Sequence, residues 1–318
     1  MDINNIIQQL LSGDRTALGR AITLVESTLS EHQDLSQEVL SACLPYCGKS
    51  IRIGITGVPG VGKSTFIEAL GKHLTNLGKK VAVLAIDPSS ERTGGSILGD
   101  KTRMNELAID DLAFIRPSPT TGSLGGVARK TRESILLCEA AGYEVILIET
   151  VGVGQSETAV HSMVDFFLLL MLAGAGDELQ GIKRGIMEMA DAIAITKADG
   201  DNIQNANNAR MEYKRALHLF PPTDNGWIPK VETCSSLNKD NIDRIWKIIS
   251  EHQEWMQSRG LKEGKRQEQA RYWLHESIEE KLKQRFYQKE GMAQQIAEME
   301  QAVTEGRLTP YQATQKLL

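Results

Sequence analysis

Residues 57–65 read Gly57-Val58-Pro59-Gly60-Val61-Gly62-Lys63-Ser64-Thr65. A short β-like run, Ile51–Thr56, precedes them, and apolar residues at helical spacing follow from Phe66 onward. Strand, glycine-rich loop and helix in this order are typical of a phosphate-binding loop. Glycines let the backbone N–H groups turn inward, so these groups and the helix N-terminus face an anion. We predict that all nine residues bind a nucleotide, with Lys63 at the β- and γ-phosphates and the Ser64 hydroxyl on Mg²⁺.

Length and composition limit what the chain can be. Its 318 residues correspond to roughly two domains of about 150 residues each, or to one large domain with appendages. Hydrophobic residues make up 41%, enough for a core, and the net charge of −5 gives no indication of nucleic-acid binding. The longest apolar run, Phe166–Ala173, is too short for a bilayer, which takes about 20 residues. Four cysteines without a CxxC pair, and no signal-peptide pattern, predict a cytoplasmic protein with reduced thiols and no membrane insertion.

Apolar spacing divides the chain into three parts. Residues 1–48 carry apolar stripes at helical spacing and are predicted to form a helical cap. Residues 49–257 alternate β-like runs with helices, which predicts an α/β P-loop NTPase domain with a mainly parallel sheet flanked by helices. Residues 258–318 are helical and have too few apolar residues for their own core. This arm must pack on the sheet domain, on the N-terminal helices or on a second copy of the chain, and we favour the homodimer.

Seven runs in the middle part are predicted as strands, because each is short, apolar and bounded by turn residues. They are Ile51–Thr56, Val81–Ile86, Leu112–Ile115, Val145–Ile148, Phe166–Leu172, Ala192–Ile195 and Ile228–Thr233. Ligands of parallel sheets bind at the carboxyl ends of the strands. The polar motifs that follow these runs are therefore the candidates for chemistry.

Two acids follow predicted strands and are candidates for binding Mg²⁺ and supporting catalysis. Asp87 closes the second strand, and Pro88 forces the chain out of it; an ordinary turn would also have this sequence. Glu149 closes the run Val145–Ile148 in the manner of a Walker-B strand. GTPases usually have Asp-x-x-Gly at this place, and the longer glutamate still supplies a carboxylate. We expect both acids to hold Mg²⁺ or its water ligands.

Two glycine-rich stretches are candidates for mobile segments over the phosphates. Residues 94–103 would place Asp100 near the metal and Arg103 near the γ-phosphate, although a surface loop running into a helix has the same pattern. A second stretch follows the longest apolar run and has no equivalent in small GTPases. Lys183 or Gln180 from this stretch would reach the site when it closes, and a solvated loop is the competing interpretation.

A guanine-reading pattern, Asn-Lys-x-Asp, is approximated by Thr196-Lys197-Ala198-Asp199. The Asp199 carboxylate can accept hydrogen bonds from the N1–H and 2-amino groups of guanine, a donor pair that adenine lacks. The aliphatic stem of Lys197 can cover the base. Thr196 has a hydroxyl, but it lacks the amide of asparagine, which both donates and accepts hydrogen bonds. After the last predicted strand, three residues are expected to contact guanine O6 through their backbone: Ser235, Ser236 and Leu237.

Together these motifs resemble the MeaB/ArgK family of P-loop GTPases, which are G-protein chaperones of adenosylcobalamin-dependent acyl-CoA mutases such as methylmalonyl-CoA mutase. The resemblance covers nearly the whole chain. Its most specific stretches lie outside the phosphate loop and read Arg20-Ala21-Ile22-Thr23-Leu24-Val25-Glu26, Asp87-Pro88-Ser89-Ser90, Thr93-Gly94-Gly95-Ser96-Ile97-Leu98-Gly99-Asp100-Lys101-Thr102-Arg103-Met104, Glu149-Thr150-Val151-Gly152-Val153-Gly154-Gln155-Ser156-Glu157 and Gly176-Asp177-Glu178-Leu179-Gln180-Gly181-Ile182-Lys183.

The resemblance implies a homodimer with helical extensions that hydrolyses GTP to GDP and phosphate. It implies a loop with Gln180 and Lys183 that couples the nucleotide state to the mutase and to loading or protection of its cofactor. It also implies that Mg²⁺ is held around four residues, Ser64, Asp87, Asp100 and Glu149. No catalytic base is evident in the sequence, so we expect slow turnover that a partner accelerates.

Two other functions are open at this point. A metallochaperone GTPase of nickel enzymes would have His-rich or paired Cys/His motifs, and the six histidines of this chain are scattered. A nucleotide-dependent small-molecule kinase would fit the older label of some relatives as an arginine/ornithine transport kinase. The sequence has no protein-kinase motif and no transporter-like span, and a titration of ATP against GTP discriminates between the two activities.

Overall fold

The computed structural model describes residues 2–86, 104–117, 124–150, 156–174, 184–221, 223 and 225–318. Within these ranges strands alternate with helices, as the apolar periodicity predicts. The strands are β1 Ile51–Gly57, β2 Val81–Ile86, β3 Ala113–Arg116, β4 Val145–Thr150, β5 Phe166–Leu172, β6 Ala192–Thr196 and β7 Lys230–Thr233.

All seven described strands run parallel in one sheet of order β3-β2-β4-β1-β5-β6-β7. β1 lies at the centre, between β4 and β5, and it carries the phosphate loop at its carboxyl end. The almost continuous burial of β5 follows from its uninterrupted apolar sequence, because helices cover both faces of a parallel sheet. β7 begins two residues later than predicted, at Lys230, since Pro229 lacks the N–H group that a paired strand needs. The predicted α/β fold is confirmed.

The helices flank the sheet and extend the chain at both ends. They are α1 Ile3–Leu11, α2 Arg15–Glu26, α3 Ser30–Cys43, α4 Lys63–Asn76, α5 Asn105–Ala108, α6 Leu124–Ala140, α7 Ser156–His161, α8 Arg184–Met189, α9 Ile203–Leu217, α10 Ile242–Ser258, α11 Leu261–Tyr287, α12 Met292–Thr304 and α13 Pro310–Leu317. None of the described helices is both long and apolar enough to cross a membrane.

The three N-terminal helices pack on one another, and α2 and α3 also pack on α6. Two aspartates begin the first two of these helices: Asp2 accepts from the Asn5 N–H at 3.2 Å, and Asp14 accepts from the Ala17 N–H at 2.6 Å. Such N-caps satisfy N–H groups that have no partner inside the helix.

A buried ion cluster closes the amino end of the sheet. Arg266 donates from Nε and Nη2 to the two carboxylate oxygens of Asp165 at 2.9 and 2.7 Å. Arg52 donates from Nε and Nη2 to Glu139 at 3.0 and 2.9 Å. Arg266 Nη2 also donates to the Ser50 carbonyl at 2.8 Å, so the start of β1 is bonded to the start of α11. Planar guanidinium groups suit this bidentate pairing with carboxylates.

Two compact units make up the chain, Met1–Gln269 and Ala270–Leu318. In the second unit α12 packs on α13, and Thr309 with Gln312 forms a reciprocal capping box at the start of α13. Only Arg259 and Gly260 separate α10 from α11, because α10 ends at Ser258 and α11 begins at Leu261. The division into 1–48, 49–257 and 258–318 stays a prediction.

Candidate nucleotide-binding site

The predicted phosphate loop connects the end of β1 to the first residue of α4. Gly62 is the N-cap of α4 and has φ +93°, a backbone conformation that only glycine adopts without strain. No side chain caps this helix. Its first N–H groups and the positive end of its dipole are therefore available to an anion.

Gly57 sets how closely the loop approaches β5. A Cβ atom at this position would lie 2.5 Å from the Leu170 carbonyl oxygen, which is a backbone atom and cannot rotate away. Only glycine lets the loop leave the central strand at this distance from its neighbour. The sequence pattern predicts glycine here for phosphate binding, and the structure adds a packing reason.

The Lys63 ammonium lies against the loop that contains it. Its Nζ donates to the Gly57 carbonyl at 2.8 Å and to the Val58 carbonyl at 3.3 Å. Burial lowers the pKa of Lys63, and the negative charges of Glu149 and Glu157 partly oppose this effect. The group nonetheless carries three donors, which suits it to binding phosphate oxygens.

Ser64 and Glu149 are brought together from opposite sides of the loop. The Ser64 hydroxyl donates to Glu149 Oε1 at 3.1 Å, and both residues are buried. Glu149 lies near the end of β4, where its register partners are Ile55 of β1 and Ala85 of β2. The two predicted metal ligands inside the described ranges thus share one place at the carboxyl edge of the sheet.

The donor set at this place fits Mg²⁺, which prefers hard oxygen ligands and keeps several waters. A hydroxyl and a carboxylate are two such ligands. In the described ranges no cluster of three or more His, Cys, Asp or Glu side chains could hold a metal. The other two predicted metal ligands, Asp87 and Asp100, lie outside the described ranges, and so do Arg103, Gln180 and Lys183.

The two predicted guanine-reading segments meet beside β6. Ser235 Oγ donates to Asp199 Oδ2 at 2.5 Å, and the Ala198 N–H donates to the Cys234 carbonyl at 3.1 Å. Ser235 is completely buried, so its hydroxyl holds the carboxylate in one orientation. One oxygen of Asp199 remains to face a base.

Thr196 connects this region to the phosphate loop. Its hydroxyl lies 2.8 Å from the Val61 carbonyl oxygen and 3.2 Å from that of Met171. The sequence predicts that threonine keeps a hydroxyl at this position without indicating its partner. The structure shows that this hydroxyl bonds the loop directly to β6.

The other predicted base contacts lie at the surface. Lys197 is exposed with φ +55°, and Asn202 Nδ2 donates to its carbonyl at 2.7 Å. Ser236 and Leu237 follow Ser235 in a turn, and the Leu237 side chain is exposed. Asn202 has no place in the sequence motif, and it stabilises the unusual backbone of Lys197 from the next turn.

Glu157 is the residue that the sequence motifs do not assign. Only 1% of it is exposed, and its charge acts on Lys63 together with that of Glu149. It lies in the first turn of α7, which packs on β1 and β4. Gly54 of β1 permits this packing, because a Cβ there would lie 2.7 Å from Val160 Cγ1. The signal for it in the sequence is a second acidic residue soon after Glu149.

Known proteins resemble this chain over almost its whole length. A family model described as "Methylmalonyl Co-A mutase-associated GTPase MeaB" matches residues 18–291. GTPase ArgK of Escherichia coli strain K12 is 50% identical over 304 residues, which cover 96% of this chain and 92% of that protein. The "Methylmalonic aciduria type A homolog, mitochondrial" of Mus musculus is 47% identical over 326 residues, which cover 99% of this chain and 79% of that protein.

A solved structure has the same fold. It is named "LAO/AO transport system kinase", and it superposes with a TM-score of 0.79 at 42% sequence identity. The match covers 99% of this chain and 96% of the other. The likeness therefore includes the helical extensions as well as the sheet.

Proposed function

The chain belongs to the MeaB family of methylmalonyl-CoA mutase-associated GTPases, and from this membership we propose that it is a Mg²⁺-dependent G-protein chaperone of an adenosylcobalamin-dependent acyl-CoA mutase. The family match over residues 18–291 is the observation that carries the proposal. The chain would gate the loading or the protection of the mutase cofactor. We expect it to act in the cytoplasm, without nucleic acid or membrane.

Hydrolysis of GTP is the established activity of this family, and the described residues explain how the chain performs it. The N–H groups of the loop and of the α4 N-terminus donate to phosphate oxygens. Lys63 adds a positive charge where negative charge develops on the transferred phosphoryl group. Catalysis of this kind depends on positioning and electrostatics, which a rigid glycine loop on a central strand supplies.

Ser64 and Glu149 are the described residues that would hold Mg²⁺, and Asp87 and Asp100 would complete the set that the family resemblance implies. The ion would neutralise charge on the β- and γ-phosphates. Glu149 is held by the Ser64 hydroxyl and by its place in β4. Glu157 adds a second buried negative charge near Lys63.

Selection of guanine is supported by the arrangement around Asp199. Ser235 occupies one carboxylate oxygen, which orients the other toward a ligand. A base that lacks N1–H and 2-amino donors would leave the second oxygen of this carboxylate without a partner, which is unfavourable at a desolvated site. Adenine lacks both donors, so this geometry favours GTP over ATP.

A homodimer through the C-terminal arm is supported by the surface of α11. Leu274, Ile278 and Leu282 are four residues apart on this helix, and all three are exposed. An apolar stripe at helical spacing is typical of a helix that packs on a partner. A second copy of the chain would cover it.

The competing proposal is a small-molecule kinase, because the similar solved structure is named as a transport system kinase. Such an enzyme would use ATP and an acceptor molecule. Measuring hydrolysis and affinity for ATP and GTP side by side separates the two proposals, and a preference for ATP would favour the kinase.

The chaperone role is tested by affinity purification from native lysate of the source organism. The tagged protein is loaded in parallel with GDP and with a non-hydrolysable GTP analogue, and captured proteins are identified by mass spectrometry. We expect capture of a cobalamin-dependent acyl-CoA mutase that differs between the two nucleotides. The purified mutase should then accelerate GTP hydrolysis.

The matched control is Lys63→Ala, which should lose nucleotide-dependent differences in capture. Capture of no mutase in either nucleotide state, or a mutase that leaves the rate of hydrolysis unchanged, would contradict the chaperone role. The GTPase activity itself is measured separately and would survive that result.

A further inference from the structure

The outer edge of the sheet carries a groove that nucleotide binding does not use. β7 is last in the strand order, so one side of it has no neighbour among the described strands. α9 and α10 flank this side and enclose with β7 a space of about 590 Å³. Ligand-binding pockets commonly have volumes of about 300–1,000 Å³. We name this space the β7 groove.

The backbone of β7 presents free hydrogen-bonding groups to the groove. The Cys234 N–H donates to a β6 carbonyl at 2.8 Å, so the N–H groups of Val231 and Thr233 point away from β6. The two backbone groups of Thr233 are already used, because its N–H donates to Glu232 and its carbonyl accepts from Asn241, both at 3.0 Å. Within the described ranges, the N–H and carbonyl of Val231 have no hydrogen-bond partner. An extended chain can therefore pair with β7 at this residue.

The floor of the groove is apolar. Leu217 of α9 and Ile248 of α10 line it from two sides, and Val231 lies between them. Ile228 lines its end and is 73% exposed, so it adds apolar surface that a ligand in the groove would cover. Alternate side chains of an added strand would point into such a floor.

Both acids of the groove are already paired. Glu232 Oε1 accepts from Arg210 Nη1 at 3.1 Å, and Glu251 Oε2 lies 2.5 Å from Lys230 Nζ. Their negative charges are therefore balanced by neighbouring cations and do not repel an acidic ligand strongly.

Three cations of the groove lack this compensation. Lys214 of α9 and Arg244 and Lys247 of α10 are exposed, and in the part of the chain that the structure describes none of them pairs with a carboxylate. The groove thus has an excess of positive charge above an apolar floor. A complementary ligand carries negative charges and apolar groups in alternation.

We propose that the β7 groove binds an extended acidic segment of a partner protein, which adds to the sheet beside β7. Main-chain hydrogen bonds to Val231 supply one part of the affinity. Apolar side chains of one alternate set pack on Leu217 of α9, and carboxylates of the other set face Arg244 and Lys247 of α10, because the two helices cover opposite faces of the sheet. β7 ends at Thr233, two residues before Ser235, which orients Asp199, so the added strand lies on the element that leads into the guanine-reading turn.

The probe is a display library of random twelve-residue peptides, selected on the full-length protein loaded with GDP. Enriched peptides are synthesised with a fluorophore, and their binding is measured by fluorescence polarisation. We expect sequences in which Asp or Glu alternates with aliphatic residues. Their affinity should fall at least about tenfold in the Arg244→Glu/Lys247→Glu variant, because charge reversal at a complementary surface repels the ligand.

Val231→Pro is the backbone test. It removes the N–H that faces the groove, and proline is tolerated at a strand edge where this group is not paired within the sheet. The variant should also lose binding by about tenfold or more, since main-chain pairing is the shared element of strand addition. GTP hydrolysis reports that both variants are folded, because none of these residues lies in the nucleotide site.

Three outcomes overturn the proposal. The first is a selection that yields no peptide whose binding depends on the two variants. The second is enrichment of basic or uncharged peptides. The third is a dimer, detected by light scattering, that dissociates in the charge-reversal variant, which would assign the groove to a second copy. Acidic peptides that lose affinity in both variants, with the oligomeric state unchanged, support it.

Discussion

The two ends of the central sheet are built from different kinds of contact. At the carboxyl end, loops with glycines present backbone N–H groups, one lysine and a hydroxyl–carboxylate pair to a ligand. At the amino end, Arg52 and Arg266 satisfy Glu139 and Asp165 completely within the protein. The carboxyl end has hydrogen-bonding groups available to a nucleotide, whereas at the amino end the charged groups are already paired with one another. Substitutions at the two ends should therefore separate activity from stability.

The largest expected effect is at the carboxyl end. Lys63→Ala should abolish GTP hydrolysis, a loss of at least about a hundredfold, because it removes the cation that stabilises the transition state. Lys72→Ala, on the same helix, is the matched control, and it breaks only an ion pair with Asp110. Steady-state phosphate release measures both variants. A Lys63→Ala variant that retains its turnover would contradict the functional role of the carboxyl end.

The carboxyl end of the sheet is easier to predict from the sequence than the amino end. The phosphate loop and the segment 196–199 are contiguous, and their function fixes their residue types and spacing. The amino-end cluster joins residues 52, 139, 165 and 266, which no local pattern connects. Arg266 lies in a charged segment that the sequence predicts to pack on the sheet domain, the N-terminal helices or a second copy, without indicating which residues make the contact. Only the folded chain shows that its guanidinium is buried against the start of the sheet.

Some features of the nucleotide site were also beyond the sequence, for physical reasons. The bond from Thr196 to the Val61 carbonyl depends on how close β6 lies to the loop, and this distance is set by the register of β5 and β6. Glu157 acts on Lys63 from a buried position on α7, and the packing of α7 on β1 depends on the absence of a side chain at Gly54. Both depend on packing between elements that are distant in sequence.

At the amino end, Arg266→Met should reduce stability and leave activity intact. It leaves the Asp165 carboxylate buried without its bidentate partner, which typically costs about 3–5 kcal/mol. Urea unfolding at pH 7 measures the loss, and GTP hydrolysis per folded molecule should stay within about twofold, as no ligand contact is changed. Arg285→Met, on an exposed turn of the same helix, should change stability by less than about 0.5 kcal/mol.

The ion pair between Arg266 and Asp165 also predicts how stability depends on pH. Burial by itself raises the pKa of Asp165, but the hydrogen bonds and charge of Arg266, with Arg52, outweigh it and hold that pKa below its usual range. A carboxylate with a lowered pKa stabilises the fold above its unfolded pKa, about 3.9, and this stability is lost as the pH falls toward the native pKa. In Arg266→Met the largest opposition to burial is lost and only Arg52 remains, so the pKa of Asp165 rises and protonation relieves the defect. The difference in unfolding free energy between the two proteins should narrow from pH 7 to pH 4; a constant difference would contradict a charge-based role.

A smaller effect is expected where β6 meets the phosphate loop. Thr196→Val keeps the shape of the side chain but leaves the buried Val61 carbonyl without its partner, at a cost of about 1–3 kcal/mol. We expect GDP affinity, measured by titration with a fluorescent analogue, to fall about tenfold. Thr196→Ser keeps the hydroxyl and should bind nearly as well as the native chain. Equal affinities for the valine and serine variants would show that the hydroxyl does not connect the two regions.

The smallest effect is expected at the orienting serine. Ser235→Ala removes the donor to Asp199 Oδ2. Hydrogen bonds to charged groups are worth about 1.5–3 kcal/mol, but Asp199 is only partly buried, so water replaces much of this one. The Km for GTP should rise a few-fold while kcat is unchanged, because the phosphates are not affected. A fall in kcat instead would mean that Ser235 acts on the catalytic end rather than on the base.

The central claim is that the glycine loop and Asp199 bind opposite ends of one guanosine nucleotide. The most direct test is the affinity of Asp199→Asn for GTP and for xanthosine triphosphate, in which a carbonyl replaces the 2-amino group. The account predicts that preference reverses, because the amide of asparagine donates to that carbonyl and no longer accepts from the 2-amino group. Unchanged affinity for GTP, with no gain for xanthosine triphosphate, would contradict it.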